Sequence, residues 1–179
     1  MQPIVKFGAG CLCAALTLCH SAQADQTFQD RLDLNVEESC SAGMPEPGDV
    51  VALALRGAKG KHYVRAGSAE KPRLAIRGEV SSLYSVFQIE PTETENAVAF
   101  YNLGQQAYVL MDEDTRLFAN AQPTSALLFD LEAAQDGYVR IKVHGYASWV
   151  RMNANGYLYL RARQEDAATQ FCAQGIATE

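Results

Sequence analysis

Hydrophobic and polar residues alternate in short runs from about residue 50 onward, and this alternation returns at a regular interval. Such runs begin at three valines, each followed six residues later by a glycine: Val51 and Gly57, Val98 and Gly104, and Val139 and Gly145. Alternation with a period of two is typical of half-buried β-strands. Helical periodicity is weak across residues 50–175, so the pattern predicts an all-β domain.

Two further markers repeat in the same order. The first is an aromatic residue followed by valine, and the second is a phenylalanine in a short apolar run. The aromatic residues are Tyr63, Tyr108 and Trp149, and the phenylalanines are Phe87, Phe129 and Phe171. Successive phenylalanines are 42 residues apart in both intervals. Each unit carries four strand signals, and Asn-Gly at 155–156 is a strong hairpin signal within the last unit.

Three units of four strands favour a single β-trefoil, a six-stranded barrel closed at one end by three hairpins. The expected units are 50–91, 96–133 and 137–175. Each unit alone exposes an apolar face, and three together bury it in a shared core. The three phenylalanines are then equivalent core positions, and Trp149 is expected in the core as well. A sandwich of seven or eight strands is an alternative, but it does not explain the threefold spacing.

One stretch resembles the fascin-like β-trefoil family: residues 98–131, which read VAFYNLGQQAYVLMDEDTRLFANAQPTSALLFDL. A unit of that family has an apolar strand, Gly-x-Tyr-Leu/Val, a turn, a strand ending near Ala, and a closing Phe or Trp strand. The resemblance extends over all three units and implies the fold. It does not imply actin bundling, because fascins place several trefoils in one cytosolic chain and fold alone does not carry function.

Residues 1–24 predict a secretory signal peptide, because Lys6 precedes an apolar run and Ala22 and Ala24 form an Ala-x-Ala exit. The run is shorter than the roughly 20 residues of a membrane span, and no later segment is long enough. A buried N-terminal helix and lipid attachment at Cys11 are alternatives. We therefore expect an exported protein, periplasmic or secreted, with a short N-terminal extension at 25–49 and the trefoil at 50–179.

Two cysteines follow the predicted leader, Cys40 before the first unit and Cys172 after the last phenylalanine. Two cysteines in an exported chain suggest one disulfide, with two free thiols as the alternative. A trefoil brings its first and last strands together, so we expect a bond between Cys40 and Cys172.

Little catalytic chemistry is visible beyond the leader. His62 and His144 are the two histidines there, and neither belongs to a metal-binding helix or a nucleophile motif. We expect no enzymatic activity, no cofactor and no metal site. The same segment carries 21 acidic residues against 14 basic ones, which argues against nucleic acid as a partner.

Charge is segregated between the first two units. Residues 56–77 hold seven basic side chains against one acidic, and residues 90–136 hold nine acidic against one basic. Segregated charge steers partners, although two solvated faces without any partner are the alternative. We expect a monomer that binds another protein through its loops, as a periplasmic inhibitor, an immunity-type (toxin-neutralising) protein or a secreted host-interaction module. The candidate contacts are Lys59, Lys61, His62 and Arg65.

A carbohydrate-binding, lectin-like module is the alternative function. Ricin-type lectins carry Gln-x-Trp near the end of each unit and stack sugars on exposed aromatic rings, and this motif is missing here. Other sugar-binding trefoils lack it too. If Leu158 faces the core, Tyr157 and Tyr159 face outward, and together with Arg161 they are the candidate glycan-binding residues.

Overall fold

The computed structural model describes residues 40, 42–57, 62–77, 80, 82–163 and 166–176. These residues form β-strands and short 3-10 turns and contain no α-helix. The strands are β1 (Val50–Leu55), β2 (Val64–Ala66), β3 (Leu74–Ile76), β4 (Phe87–Pro91), β5 (Ala97–Asn102), β6 (Ala107–Met111), β7 (Leu117–Ala121), β8 (Leu128–Ala133), β9 (Val139–Val143), β10 (Trp149–Met152), β11 (Leu158–Ala162) and β12 (Gln170–Gly175). The predicted all-β class is confirmed. Within the described ranges no helix is long and apolar enough to cross a membrane.

Six of these strands pair into a closed ring. The order is β1–β4–β5–β8–β9–β12 and back to β1, and every pairing is antiparallel. The other six strands pair as the hairpins β2–β3, β6–β7 and β10–β11. The first and last strands therefore lie side by side, with Leu55 opposite Phe171. A closed ring leaves none of its strands with an unpaired edge.

Equivalent residues from the three units fill the interior. They are Val64, Val109 and Val150; Leu74, Leu117 and Leu158; and Phe87, Phe129 and Phe171, all at most 3% exposed. Phe100 of β5 also lies in this core and presents its ring edge-on to two of the phenylalanines, at centroid distances of 5.0 Å to Phe129 and 6.3 Å to Phe87. The spacing of the phenylalanines along the sequence therefore corresponds to three buried positions at the starts of β4, β8 and β12.

The aromatic residue before each core valine is not part of this interior. Tyr63 is buried in a second apolar cluster that includes Tyr138 and Cys172, and Trp149 is only half-buried. Trp149 donates its indole N–H to Glu132 at 2.8 Å and lies under the guanidinium of Arg140. The expectation that Trp149 is a core residue is therefore wrong. The β10–β11 ladder is irregular between Trp149 and Val150, so the burial of Val150 in the interior does not extend to its neighbour.

A disulfide joins Cys40 to Cys172 of β12, the pair that the sequence predicts. The loop before β9 passes close to this bond. A Cβ at position 137 would lie 2.0 Å from the carbonyl oxygen of Cys40, and the φ of +78° there also favours glycine, which explains Gly137. The predicted signal peptide and residues 25–39 of the predicted extension lie outside the described residues.

Candidate functional site

The three hairpins meet at one end of the barrel in a threefold arrangement. Single backbone bridges connect the hairpins, from Arg73 to Phe118, from Arg116 to Tyr159 and from Tyr157 to Ala75. The second strand of each hairpin begins with a buried leucine, and these are Leu74, Leu117 and Leu158. Each bridge joins the residue before one of these leucines to the residue after another. Because these leucines are buried, their neighbours on either side point to the outer face of this end.

Tyr157 and Tyr159 are half-buried on this outer face, and the side chain of Arg73 lies between them. The guanidinium carbon of Arg73 is 3.8 Å from the ring centroid of Tyr157 and 4.9 Å from that of Tyr159. Arg73 also donates a hydrogen bond to the Tyr159 hydroxyl. A guanidinium over an aromatic face is attracted by the ring quadrupole. The two tyrosines therefore hold an arginine of the first unit and do not form one open stacking platform.

Tyr159 and Arg161 line a cleft of about 290 Å³ between the second and third hairpins, which we call the hairpin cleft. Its other lining residues are Asp114, Arg116, Arg151, Met152 and Asn153. The guanidinium of Arg161 is 5.6 Å from the ring centroid of Tyr159. The structure thus brings two of the three candidate glycan-binding residues, Tyr159 and Arg161, to one cleft and leaves Tyr157 out of its lining.

One polar side chain organises each turn that borders the hairpin cleft. Asp112 accepts hydrogen bonds from Arg116, from the backbone N–H at 2.9 Å and from Nε at 2.6 Å. At the equivalent position of the third unit, the Asn153 amide oxygen accepts backbone N–H groups of Asn155 at 3.1 Å and Tyr157 at 2.9 Å. Asp and Asn commonly stabilise turns in this way. Both walls are therefore set by local hydrogen bonds before any ligand arrives.

Opposite charges are paired along the hairpin cleft. Burial acts to raise the pKa of Asp112, but the hydrogen bonds and charge of Arg116 outweigh it and hold this pKa below its ordinary value of 3.8. The hydrogen bond that Arg116 donates to Asp112 in turn raises the pKa of Arg116. Arg151 forms an ion pair with Asp166 at 2.7 Å, and Arg161 donates Nε–H to the Thr115 hydroxyl at 3.3 Å. These contacts fix the planar guanidinium groups, each of which has five N–H donors.

The candidate contacts for a protein partner are less well assembled. Lys59 and Lys61 lie outside the described residues. His62 is half-buried, and its carbonyl accepts the backbone N–H of Leu55 at 3.0 Å. Arg65 lies instead on a separate groove of about 500 Å³, which we call the first-unit groove.

Comparison with known proteins gives structural relatives only. No protein-family model matches the sequence, and no curated protein matches it. A lectin of Polyporus squamosus bound to Neu5Aca2-6Galb1-4GlcNAc is similar, with a TM-score of 0.61 and 14% identity over 74% of this chain and 50% of that chain. A ricin B-like lectin of Macrolepiota procera in complex with lactose has a TM-score of 0.61 and 12% identity over 73% of this chain and 98% of that chain. This chain thus spans about half the length of the first lectin.

Ricin B-like lectins have a β-trefoil fold, so the likeness supports a fold of the trefoil type for this all-β chain. It does not single out the fascin-like family. The prediction of a protein partner, as an inhibitor, an immunity-type protein or a host-interaction module, is wrong, because the similar structures are lectins with bound sugars. Charge segregation misled that prediction, since the sign of a surface does not identify the class of molecule that binds there.

Proposed function

We propose that this protein is a carbohydrate-binding module built on a single β-trefoil of three four-strand units. In this proposal it is non-enzymatic and exported, and it binds a saccharide in the hairpin cleft. The closed six-stranded ring with three hairpins supports the unit count, and the repeat pattern supports a relation to fascin-like trefoils. The two lectins that share the fold support the class of ligand.

The observation that carries the proposal is the aromatic ring of Tyr159 beside fixed planar polar groups in the hairpin cleft. A sugar ring has apolar C–H faces and pairs of hydroxyls at its edge. The Tyr159 ring can pack against such a face, while Arg161 and Arg151 present several N–H donors to hydroxyl oxygens. Small-molecule sites combine an apolar surface with a few placed polar groups in this way. The volume of about 290 Å³ suits a short saccharide.

Two substitutions in the hairpin cleft test this function. A glycan array with the intact protein identifies the best-bound saccharide, and calorimetry then measures its affinity for the variants. Tyr159→Leu removes the aromatic ring, and Arg161→Ala removes the N–H donors of the neighbouring guanidinium. Each is expected to weaken binding about tenfold or more, which corresponds to about 1.4 kcal/mol. Tyr159→Phe, which keeps the ring, is expected to retain more affinity than Tyr159→Leu.

The matched control is Tyr146→Ala, because Tyr146 is an aromatic residue that is 50% exposed and lies outside the cleft. It is expected to leave the affinity unchanged. Thermal unfolding of each variant separates a lost binding site from a lost fold. The proposal is contradicted if the array shows no glycan above background. It is equally contradicted if both cleft variants bind the identified glycan as tightly as the native protein.

A further inference from the structure

The first-unit groove lies apart from the hairpin cleft and has a different chemistry. Its charged lining residues are Arg65, Lys71 and Arg77, and no carboxylate is among its described lining residues. The chain as a whole has a formal net charge of −6, so this groove is a local exception to an acidic protein. Three cations around one cavity of about 500 Å³ favour a ligand with negative charge.

An insertion in the first unit builds one wall of this groove. The core positions Val64 and Leu74 are ten positions apart, whereas the corresponding residues in each of the other two units are eight positions apart. The extra residues form a turn in which the Lys71 N–H donates to the Ser68 carbonyl at 2.9 Å. Lys71 therefore lies on a turn that is two residues longer than the turns of the other two hairpins.

This turn is held in place on its inner side. The Gly67 N–H donates to the Arg73 carbonyl at 3.0 Å, and the Gln105 side-chain amide donates to the Gly67 carbonyl. A Cβ at position 67 would lie 1.9 Å from the Lys71 carbonyl oxygen, so the turn closes only with glycine there. A wall fixed in this way loses little freedom when a ligand binds.

The groove also contains an aromatic ring, that of Tyr84, with the Arg65 guanidinium carbon 5.9 Å from its centroid. The backbone beside this ring is anchored, because the Asn102 side-chain amide donates to the Tyr84 carbonyl at 3.0 Å and the Gly104 N–H donates to the Leu83 carbonyl at 3.0 Å. A bare inorganic anion needs no such ring. A sugar that carries an acidic group uses both the ring and the cations.

We propose that the first-unit groove is a second binding site, specific for the sulfate or carboxylate group of an acidic saccharide. Lys71 and Arg77 neutralise the anionic group, Arg65 contributes to the same positive field, and Tyr84 packs against the sugar ring. The ligand class rests on the proposed carbohydrate-binding function, but the site uses a different set of residues.

The test uses the intact protein and four immobilised polymers in buffers of low and high salt. Heparin carries sulfate groups in addition to carboxylates, polygalacturonate carries only carboxylates, dextran is a neutral saccharide, and polyphosphate is a polyanion without sugar. We expect heparin or polygalacturonate to bind, and the preferred one identifies the acidic group. The double variant Lys71→Ala/Arg77→Ala is expected to lose affinity at least tenfold, with a smaller loss at high salt because ions screen the attraction.

A second variant separates charge from sugar recognition. Tyr84→Leu keeps all three cations, so it is expected to weaken binding of the acidic polysaccharide by about threefold or more and to leave polyphosphate binding unchanged. The control is Lys142→Ala, a basic residue that lies outside the groove and pairs with Glu132. It is expected to leave all affinities unchanged. Thermal unfolding confirms that each variant is folded.

The inference is overturned if neither acidic polysaccharide binds at low salt or if the double variant binds as well as the native protein. Polyphosphate binding as tight as that of the polysaccharides, with no effect of Tyr84→Leu, also overturns it in favour of unspecific polyanion binding. The two sites fail separately. Heparin affinity that falls on Tyr159→Leu but not in the double variant refutes the groove and retains the hairpin cleft. Heparin affinity that falls in the double variant but not on Tyr159→Leu retains the groove, even if no neutral saccharide binds in the hairpin cleft.

Discussion

Replacing Phe129 by alanine should remove a large part of the stability of the barrel. Phe129 is 1% exposed at the start of β8, where it lies opposite Val98 on one side and Val143 on the other. A buried aromatic side chain covers roughly 150–250 Å², and burial is worth about 25 cal/mol per Å². The cavity left behind adds to the loss, and Phe→Ala in a core costs about 3–5 kcal/mol altogether.

Phe129 should fall at the upper end of this range because of one further contact. Its ring meets that of Phe100 at a centroid distance of 5.0 Å and an interplanar angle of 73°, an edge-to-face geometry worth about 0.5–1.5 kcal/mol beyond area burial. We therefore expect Phe129→Ala to lower the free energy of unfolding by about 4–5 kcal/mol. Phe129→Leu keeps most of the volume and should cost about 1–1.5 kcal/mol.

Equilibrium unfolding in urea measures both values with the disulfide intact. For an m-value of about 2 kcal/mol/M, a loss of 4–5 kcal/mol lowers the midpoint by roughly 2 M. Tyr146→Ala is the reference, and as a half-exposed residue it should cost no more than about 0.5 kcal/mol. A cost at Phe129 as small as that at Tyr146 would refute the assignment of the phenylalanines to equivalent core positions.

Two other predictions concern the disulfide and the turn at the hairpin cleft. Cys40→Ser or Cys172→Ser should lower the free energy of unfolding by up to about 4–5 kcal/mol, because the bond closes a loop across a sequence separation of 132 residues. Urea unfolding measures this loss. Recovery of both cysteines as free thiols from oxidised protein would contradict the prediction. The lowered pKa of Asp112 means that its bonds to Arg116 stabilise the fold above pH 3.8 and are lost as the pH falls through the folded-state pKa. The melting temperature of the native protein should therefore fall toward that of Asp112→Asn below pH 3.8, and a gap that stays constant there would contradict this.

Much of the fold could be predicted because its determinants recur along the chain. The alternation of each strand and the spacing of Phe87, Phe129 and Phe171 are local patterns that three units repeat. The expectation for Trp149 fails because its equivalence to Tyr63 in the repeat does not imply burial in the interior. Both residues lie outside the barrel interior, and only Tyr63 is buried there, in a second cluster that includes Cys172.

The candidate site was harder to predict because its contacts join different units. Arg73 contacts Tyr159 at a sequence separation of 86 residues, and no local sequence pattern predicts this contact. The same holds for the hairpin cleft, whose walls come from turns of the second and third units. Strand alternation makes Tyr157 and Tyr159 equivalent, and only the three-dimensional structure shows that Tyr159 lines the hairpin cleft and Tyr157 does not. The sequence predicts one residue of the first-unit groove, Arg65, from its place in a basic segment.

The pairing of β1 with β12 has a consequence for how the chain is made. Synthesis produces β1 first and β12 last, so one side of β1 lacks its neighbour until the end of the barrel sequence has emerged. One side of β9 also lacks its neighbour until then, because β12 pairs with both β1 and β9. Contacts between such distant segments form slowly, and open strand edges invite association with other chains in the meantime. A chain that ends before Gln170 lacks β12, so the ring cannot close as described and β1 and β9 each keep an unpaired edge.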